Sequence, residues 1–359
     1  MKLLITGVCG YVGSRMALRF MDTLPGVEIY GIDNLSRSGA ETSITLLSRY
    51  GIHLIRGDIR LASDMAELPD VDWIIDCAAN PTVLAGVGRG EGASSRQLMQ
   101  HNLGGTLNIL EYCREHNAGL ILLSTSRVYS IPALCNLPLH ETETRYVPLI
   151  SASYPVGFSS RGVNEAFSTA APISLYGATK LASEVLALEY ALAFDFPLWI
   201  NRCGVIGGPG QFGKVDQGIL SFWIYSFLLR RPLRYIGFGG SGKQVRDFVM
   251  AEDVADLVLR QIQSPSRVIS RTVNVGGGNA GALSLYELTQ ICREYFGSEL
   301  QVAHSDEVRL FDIPYYVTDI TNVFELWDWR PSLTGEALAL HVCEWAAQQR
   351  TLVESLMSI

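Results

Sequence analysis

A short apolar run, Lys2–Thr6, passes without a spacer into Gly7-Val-Cys-Gly10-Tyr11-Val12-Gly13, and Tyr11–Met21 then continues as an amphipathic stretch. No other feature narrows the fold of this chain as far. Glycines at this spacing, between a strand and a helix, allow a tight turn, close approach of backbone to a pyrophosphate, and close helix–strand packing. The helix presents its unpaired N–H groups and positive dipole end to the phosphates. Alone, the spacing also fits an ordinary strand-to-helix turn, so two acidic residues further along the chain decide its meaning. Asp33 ends the second apolar run, twenty residues after Gly13, where a carboxylate accepts both hydroxyls of an adenosine ribose. Asp58, in Gly57-Asp58-Ile59, ends the third and is placed to accept from an adenine amino group. Arg37 is read as covering the adenine or as solvated. A 2′-phosphate beside Asp33 would be repelled, so the expected cofactor is NAD and not NADP.

The rest of the first two hundred residues repeats the alternation. Strands are predicted at Lys2–Thr6, Glu28–Asp33, His53–Gly57, Trp73–Cys77, Leu120–Ser124 and Leu198–Arg202, and helices at Tyr11–Met21, Leu98–His116 and Tyr176–Ala193. Short strands alternating with longer helices give βαβ units, hence an α/β fold with a doubly wound parallel sheet of the Rossmann type. Thr272–Val275 reads as one more strand returning to that sheet. The expected organisation is a nucleotide-binding domain over 1–205 with 243–280, and a smaller, discontinuous substrate domain over 206–242 with 281–359.

Composition excludes more than it selects. A net charge of −8 over 359 residues argues against a nucleic-acid partner. The longest later apolar run, Ile219–Leu229, is too short to span a bilayer, and the N-terminus lacks the form of a signal peptide, so no membrane partner and a cytoplasmic address are expected. Seven scattered cysteines with no CxxC pair read as buried reduced thiols, and no histidine spacing suggests a metal. Phe222-Trp-Ile-Tyr225 is read either as a wall of the nucleotide pocket or as a core or subunit-contact stripe, and Glu287 and Glu294 as solvated helix charges.

The chemistry sits in a second constellation. Tyr176-Gly-Ala-Thr-Lys180 puts a phenol and an ammonium on one face of a predicted helix. A free phenol titrates near 10, too high for a base at neutral pH, and a neighbouring ammonium favours the phenolate. Such a pair is common on amphipathic helices, so the hydroxyls of Ser124-Thr125-Ser126 matter. They follow a buried strand and emerge at the carboxyl edge of the sheet, where ligands of open α/β sheets bind. Thr125 is placed against the substrate and Tyr176, with Ser124 and Ser126 as its rivals.

In order along the chain stand the glycine motif, Asp33-Asn34-Leu-Ser36-Arg37, Gly57-Asp58-Ile59, Asn102-Leu-Gly-Gly-Thr106, the Ser-Thr strand end and YxxxK. With these the chain resembles the extended short-chain dehydrogenases/reductases of the NAD-dependent epimerase/dehydratase family over nearly its whole length. The resemblance implies catalytic roles for Thr125, Tyr176 and Lys180. It implies cofactor contacts from Gly7, Gly10, Tyr11, Val12, Gly13, Asp33, Asn34, Ser36, Arg37, Asp58, Ile59, Ala78, Ala79, Asn80, Asn102 and Cys203, besides Tyr176 and Lys180. It places Thr125, Arg127, Gln217, Arg246 and Arg309 at a nucleotide-sugar substrate, the two last gripping its diphosphate, for which a guanidinium fork is suited. It implies a homodimer or homotetramer.

Three stretches, Glu141-Thr-Glu-Thr-Arg145-Tyr146, Asp216-Gln217-Gly218 and Gly242-Lys-Gln-Val-Arg246-Asp247, are most similar to members that invert carbon 2 of a CDP-linked dideoxyhexose. Dehydratases of the family carry an Asp-Glu pair after the threonine, whereas this chain has Ser126 and Arg127. Without those carboxylates no acid–base pair stands ready to eliminate water. Ser130 after Tyr129, Gly204 and the run Gly86-Val-Gly88-Arg-Gly90-Glu-Gly92 depart from the family pattern on the substrate side. Epimerisation at carbon 2 is therefore expected. A nucleotide-sugar oxidoreductase, an epimerase acting at carbon 4 and a non-catalytic NAD-binding scaffold are the alternatives.

Overall fold

In the computed structural model, strand β1 (Lys2–Thr6) is buried beyond its first residue and pairs on both sides: with β2 (Glu28–Asp33) and with β4 (Trp73–Asp76). The described residues are 1–37, 39–87, 94–150, 153–212, 218–264, 271–305 and 307–357. β3 (His53–Arg56) adds outside β2, and β5 (Gly119–Thr125) outside β4, all in parallel register. Leu198–Cys203 and Thr272–Val275 complete seven strands in the order Thr272–Val275, Leu198–Cys203, β5, β4, β1, β2, β3. The connection order reverses beside β1, and the crevice of a doubly wound sheet opens at that reversal, at the carboxyl ends of the strands.

The inner strands read as continuous apolar runs, such as Leu120–Leu123, because both faces of the sheet are covered. Leu120, Leu122 and Ile200 meet Ile109, Leu110, Ala187 and Ala191 from the flanking helices in one core. Each fully buried leucine or isoleucine contributes about 1.5–3 kcal/mol over its exposed state.

All three predicted helices run longer than expected, the first over Tyr11–Thr23. The predicted helix Leu98–His116 begins earlier, at Ser95 behind a Ser94–Gln97 capping box, and carries a π-helical turn, Gln100–Gly104, before Gly105–His116. The helix of the Tyr-Lys pair runs Ser174–Phe194.

The chain divides into two compact units. The first comprises Met1–Val128, Leu175–Arg202 and Val254–Val273, and the second Tyr129–Ser174, Cys203–Asp253 and Asn274–Ile359. These bounds differ from the expected ones at both ends. The second unit takes residues 129–174 and 243–253 because Val245–Val249 is its central strand, paired with Val205–Ile206, Ala282–Ser284 and Tyr315–Tyr316. Its core settles the aromatic run: Trp223, Ile224 and Tyr225 are buried, Trp223 stacks on Tyr235, and its indole N–H donates to Thr289 Oγ1 at 3.0 Å. Glu287 is not a solvated charge. It caps the helix Leu285–Phe296 through Ser284 and pairs with Arg145 at 2.5 Å. The cysteines also depart from expectation, since Cys135 is exposed and Cys77 half-buried while the other five are buried free thiols. Among the described residues no helix is long and apolar enough to cross a membrane.

Candidate active site

Gly7 leaves β1 at φ +61°, and its N–H donates to Ile32 O at 2.9 Å, tying the turn to β2. A Cβ there would lie 3.0 Å from Ala78 Cα, and one on Gly13 only 2.4 Å from Gly7 O. The glycines are thus required by backbone packed on backbone. Gly10 caps helix α1 (Tyr11–Thr23) with no side chain, and the first turn holds no acidic residue. The positive end of the helix is therefore kept for an anion. Asp33 closes β2 and is fixed by two backbone donors, Cys9 N–H to Oδ2 at 2.9 Å and Leu35 N–H to Oδ1 at 2.8 Å. Each carboxylate oxygen keeps capacity for one more donor. Burial, with the Asp33 charge beside it, pushes the Cys9 thiol up to about 12, so it stays protonated.

Asp58 binds differently. Its carboxylate accepts from Asn34 Nδ2 at 3.0 Å and from Arg60 at 2.5 Å, and hydrogen bonding by Arg60 holds it far below the usual carboxylate range. A cleft opens over these strand ends. Ten expected cofactor residues line it: Gly7, Gly10, Asp33, Asn34, Ser36, Arg37, Asp58, Ile59, Ala78 and Ala79. Ile32, Ala40, Gly57, Cys77 and His101 line it too. Strand-end position could have flagged Gly57 and Cys77, whereas His101 reaches the cleft only from the π-helical turn. The glycine cradle, the uncapped helix and the fixed carboxylate suit a dinucleotide.

The remaining expected residues lie elsewhere. Tyr11, Val12 and Gly13 form the first turn of α1. Asn80 and Asn102 hold each other: Asn80 N–H donates to Asn102 Oδ1 at 2.8 Å, and Asn102 Nδ2 donates to Asn80 O and Thr179 Oγ1, both at 3.1 Å. The amide of Asn102 ties the Asn80 loop to the Tyr-Lys helix. Thr179 in turn donates to Tyr176 O at 2.7 Å. Cys203 is buried at the end of its strand.

Tyr176 and Lys180 are both buried, on consecutive turns of one helix face, and Tyr176 shares an apolar cluster with Ala85 and Leu98. Asp76, fully buried at the end of β4, accepts from Thr6 Oγ1 at 2.7 Å. Burial raises its carboxyl group, and the nearby Lys180 charge opposes that rise.

The three hydroxyls at the end of β5 are distinct. Ser124 is buried and donates to Glu184, and Ser126 begins a 3-10 turn. Thr125 is half-buried, and its Oγ1 accepts only a long bond of 3.2 Å from Arg127 N–H. Ser126 is half-buried as well, so Thr125 and Ser126 both stand at the open end of the strand while Ser124 is turned to Glu184.

Arg246 and Arg309 belong to the second unit. Burial lowers the Arg246 guanidinium, Asp312 opposes that at 3.1 Å, and the charge of Arg309 adds to the lowering, so both arginines share one neighbourhood. Two of the three stretches singled out for their resemblance meet here: Tyr146 N–H donates to Lys243 O at 3.1 Å, and Lys243 pairs with Glu141 at 2.8 Å. Gln217, Gly88 and Gly90 fall outside the described residues.

The comparisons agree with this geometry. Residues 3–276 match the model of the NAD dependent epimerase/dehydratase family. The chain is 30% identical to CDP-paratose 2-epimerase of Salmonella typhi, over 97% of this chain and 99% of that protein. Among solved structures, Pal from Bacillus thuringiensis superposes with a TM-score of 0.78 at 23% identity, covering 97% of this chain and 99% of that one. UDP-glucuronic acid 4-epimerase from Bacillus cereus, in complex with UDP-glucuronic acid and NAD, gives 0.75 at 23% identity, again over 97% and 99%. At such identities these two show the fold. Its sheet order and cofactor cleft, and a family match over most of its length, make this chain a member of the NAD-dependent epimerase/dehydratase family.

Proposed function

We propose that this enzyme is a nucleotide-sugar epimerase that inverts carbon 2 of a CDP-linked dideoxyhexose, interconverting CDP-paratose and CDP-tyvelose. The observation that carries the reaction type is the chemistry at the end of β5: Thr125 followed by Ser126 and Arg127, with no carboxylate pair for eliminating water. The substrate class rests on the near full-length likeness to CDP-paratose 2-epimerase. Bound NAD supplies the acceptor and donor of hydride. Tyr176 takes the proton of the sugar hydroxyl on its phenolic oxygen and returns it in the second half of the cycle. Lys180, four residues on, favours the phenolate by its charge. Thr125 holds the same hydroxyl by hydrogen bonding, which fixes the direction of transfer. Arg127 and Gln217 belong to the sugar pocket in this reading, and Arg246 and Arg309 pair with the diphosphate. Since no net oxidation takes place, the cleft over β1 and β2 retains its cofactor between turnovers.

The test is mass spectrometry of purified protein with CDP-paratose in deuterated water, no cofactor added. The expected product is the 2-epimer without mass gain. Deuterium at carbon would sink the oxidation–reduction route. No conversion, with turnover of UDP-glucuronate instead, would move the reaction to carbon 4. Tyr176→Phe should abolish turnover and retain NAD.

A further inference from the structure

Glu184 lies on the same helix face as Tyr176 and Lys180, eight and four residues further on, and is buried. Its carboxylate is held by three donors from two neighbouring strands. Ser124 Oγ, on β5, donates to Oε1. Arg202, on Leu198–Cys203, donates from Nη2 to Oε2 at 2.7 Å and from Nε to both oxygens at 3.1 Å. A buried ion pair is a poor source of stability. Taking the charges out of water costs several kcal/mol per ion, and apolar replacements of similar volume are often neutral or stabilising. What the pair does supply is direction. Ser124 is the residue before Thr125, so Glu184 binds the strand that presents the hydroxyl, from the helix that carries the phenol. The helix has two other ties in this stretch, where Asn102 holds Thr179 on the preceding turn and Ser183 Oγ donates to Thr106 Oγ1 at 3.1 Å. Of these ties, the one through Glu184 reaches β5, the strand of Thr125, and its loss removes that constraint on the helix.

We propose that Ser124, Glu184 and Arg202 are positioning residues that set the Tyr176 phenol against the Thr125 hydroxyl. The proposal rests on the reading of Tyr176 and Thr125 as the groups that touch substrate. Misplacement of about 1 Å can cost around a hundredfold in rate, whereas the Tyr176–Lys180 spacing is internal to the helix and is unaffected. The two effects therefore separate.

The experiment uses the holoenzyme with CDP-paratose, or UDP-glucuronate if that is the sugar turned over. The double variant Glu184→Met/Arg202→Met removes both charges together, and Ser124→Ala removes only the link to the strand. The double variant is expected to keep NAD and a Tm near that of the parent while kcat falls about a hundredfold. KM should stay within about twofold and the acidic limb of kcat should not move. Ser124→Ala is expected to lower kcat about tenfold, the scale of one lost hydrogen bond to a charged group. Parental kcat in the folded double variant would overturn the proposal. If that variant fails to fold, parental kcat in Ser124→Ala overturns it alone. An acidic limb displaced in step with kcat would also overturn it, since the tyrosine's ionisation and not its placement would then be at fault. Should Tyr176→Phe retain turnover, the underlying catalytic reading falls and this proposal with it. An inactive Tyr176→Phe beside fully active network variants removes the positioning role alone.

Discussion

The cofactor cleft and the arginine cluster of the second unit are built by opposite means. The cleft is made of backbone and strand ends: Gly7 against Ala78, Gly13 against Gly7, and Asp33 held by the N–H groups of Cys9 and Leu35. Its partners come from the ends of parallel strands in a fixed register, so side-chain freedom matters little. The arginine cluster is made of side chains brought from distant segments. Arg246 is oriented by Asp312 and by Ile313 O at 2.8 Å, and Arg145 by Glu287, in each case across more than sixty residues of chain. A site made of backbone tolerates change at its lining and fails at its glycines. A site made of paired charges fails one partner at a time.

Four changes can break or sharpen that contrast. Gly13→Val places a branched side chain where even a Cβ would meet Gly7 O at 2.4 Å. Overpacking of this kind costs about 3 kcal/mol or more, so saturable NAD binding measured by calorimetry should be lost. Binding at parental affinity would show that the turn can yield. Arg246→Leu removes a buried guanidinium and leaves Asp312 without it. At about 3 kcal/mol for a desolvated charge pair, the substrate Kd should rise roughly a hundredfold, with NAD affinity unchanged. An equal loss of both would erase the distinction between the two regions.

Asp33→Asn keeps the shape and deletes the charge, and one amide hydrogen now faces Cys9 N–H or Leu35 N–H. NAD affinity should fall about tenfold, the scale of a hydrogen bond to a charged group, and the preference over NADP should narrow. A fixed preference in competition binding would move selectivity to another residue. The smallest effect is expected from Asp76→Asn. Burial raises the Asp76 carboxyl, so the folded state holds its proton more tightly than the unfolded one, whose value is near 3.9. The penalty of that buried acid is therefore absent at low pH and appears as pH rises through and above 3.9. Asp76→Asn should raise Tm by a few degrees at pH 8 and leave it nearly unchanged at pH 4. The reverse order would mean that the Lys180 charge outweighs burial.

Asp76 also marks where legibility in the sequence stops. Its strand is legible, because Trp73–Asp76 is apolar and keeps the period of the repeat. That a carboxyl group is buried under Lys180 is not, since the pair is brought together by helix packing over about a hundred residues. Asn102 shows the same limit: its amide ties Asn80 to Thr179, a contact that no local pattern announces. The π-helical turn that aims it has no local signature in Gln100–Gly104. Residues 129–174 interrupt the nucleotide-binding domain in sequence and read as part of it, whereas their contacts place them in the second unit.

The sequence by itself determined the seven-strand alternation, the glycine turn, the acidic ends of β2 and β3 and the Tyr176–Lys180 spacing. Each depends on periodicity or on conformations open to glycine, which act within a few residues. Tertiary structure decided that Ser124, of the three adjacent hydroxyls, is buried against Glu184. It also decided which charges are paired and buried, and which segments form the second unit. Those outcomes depend on desolvation and on partners far away in the chain, and the local sequence carries no record of either.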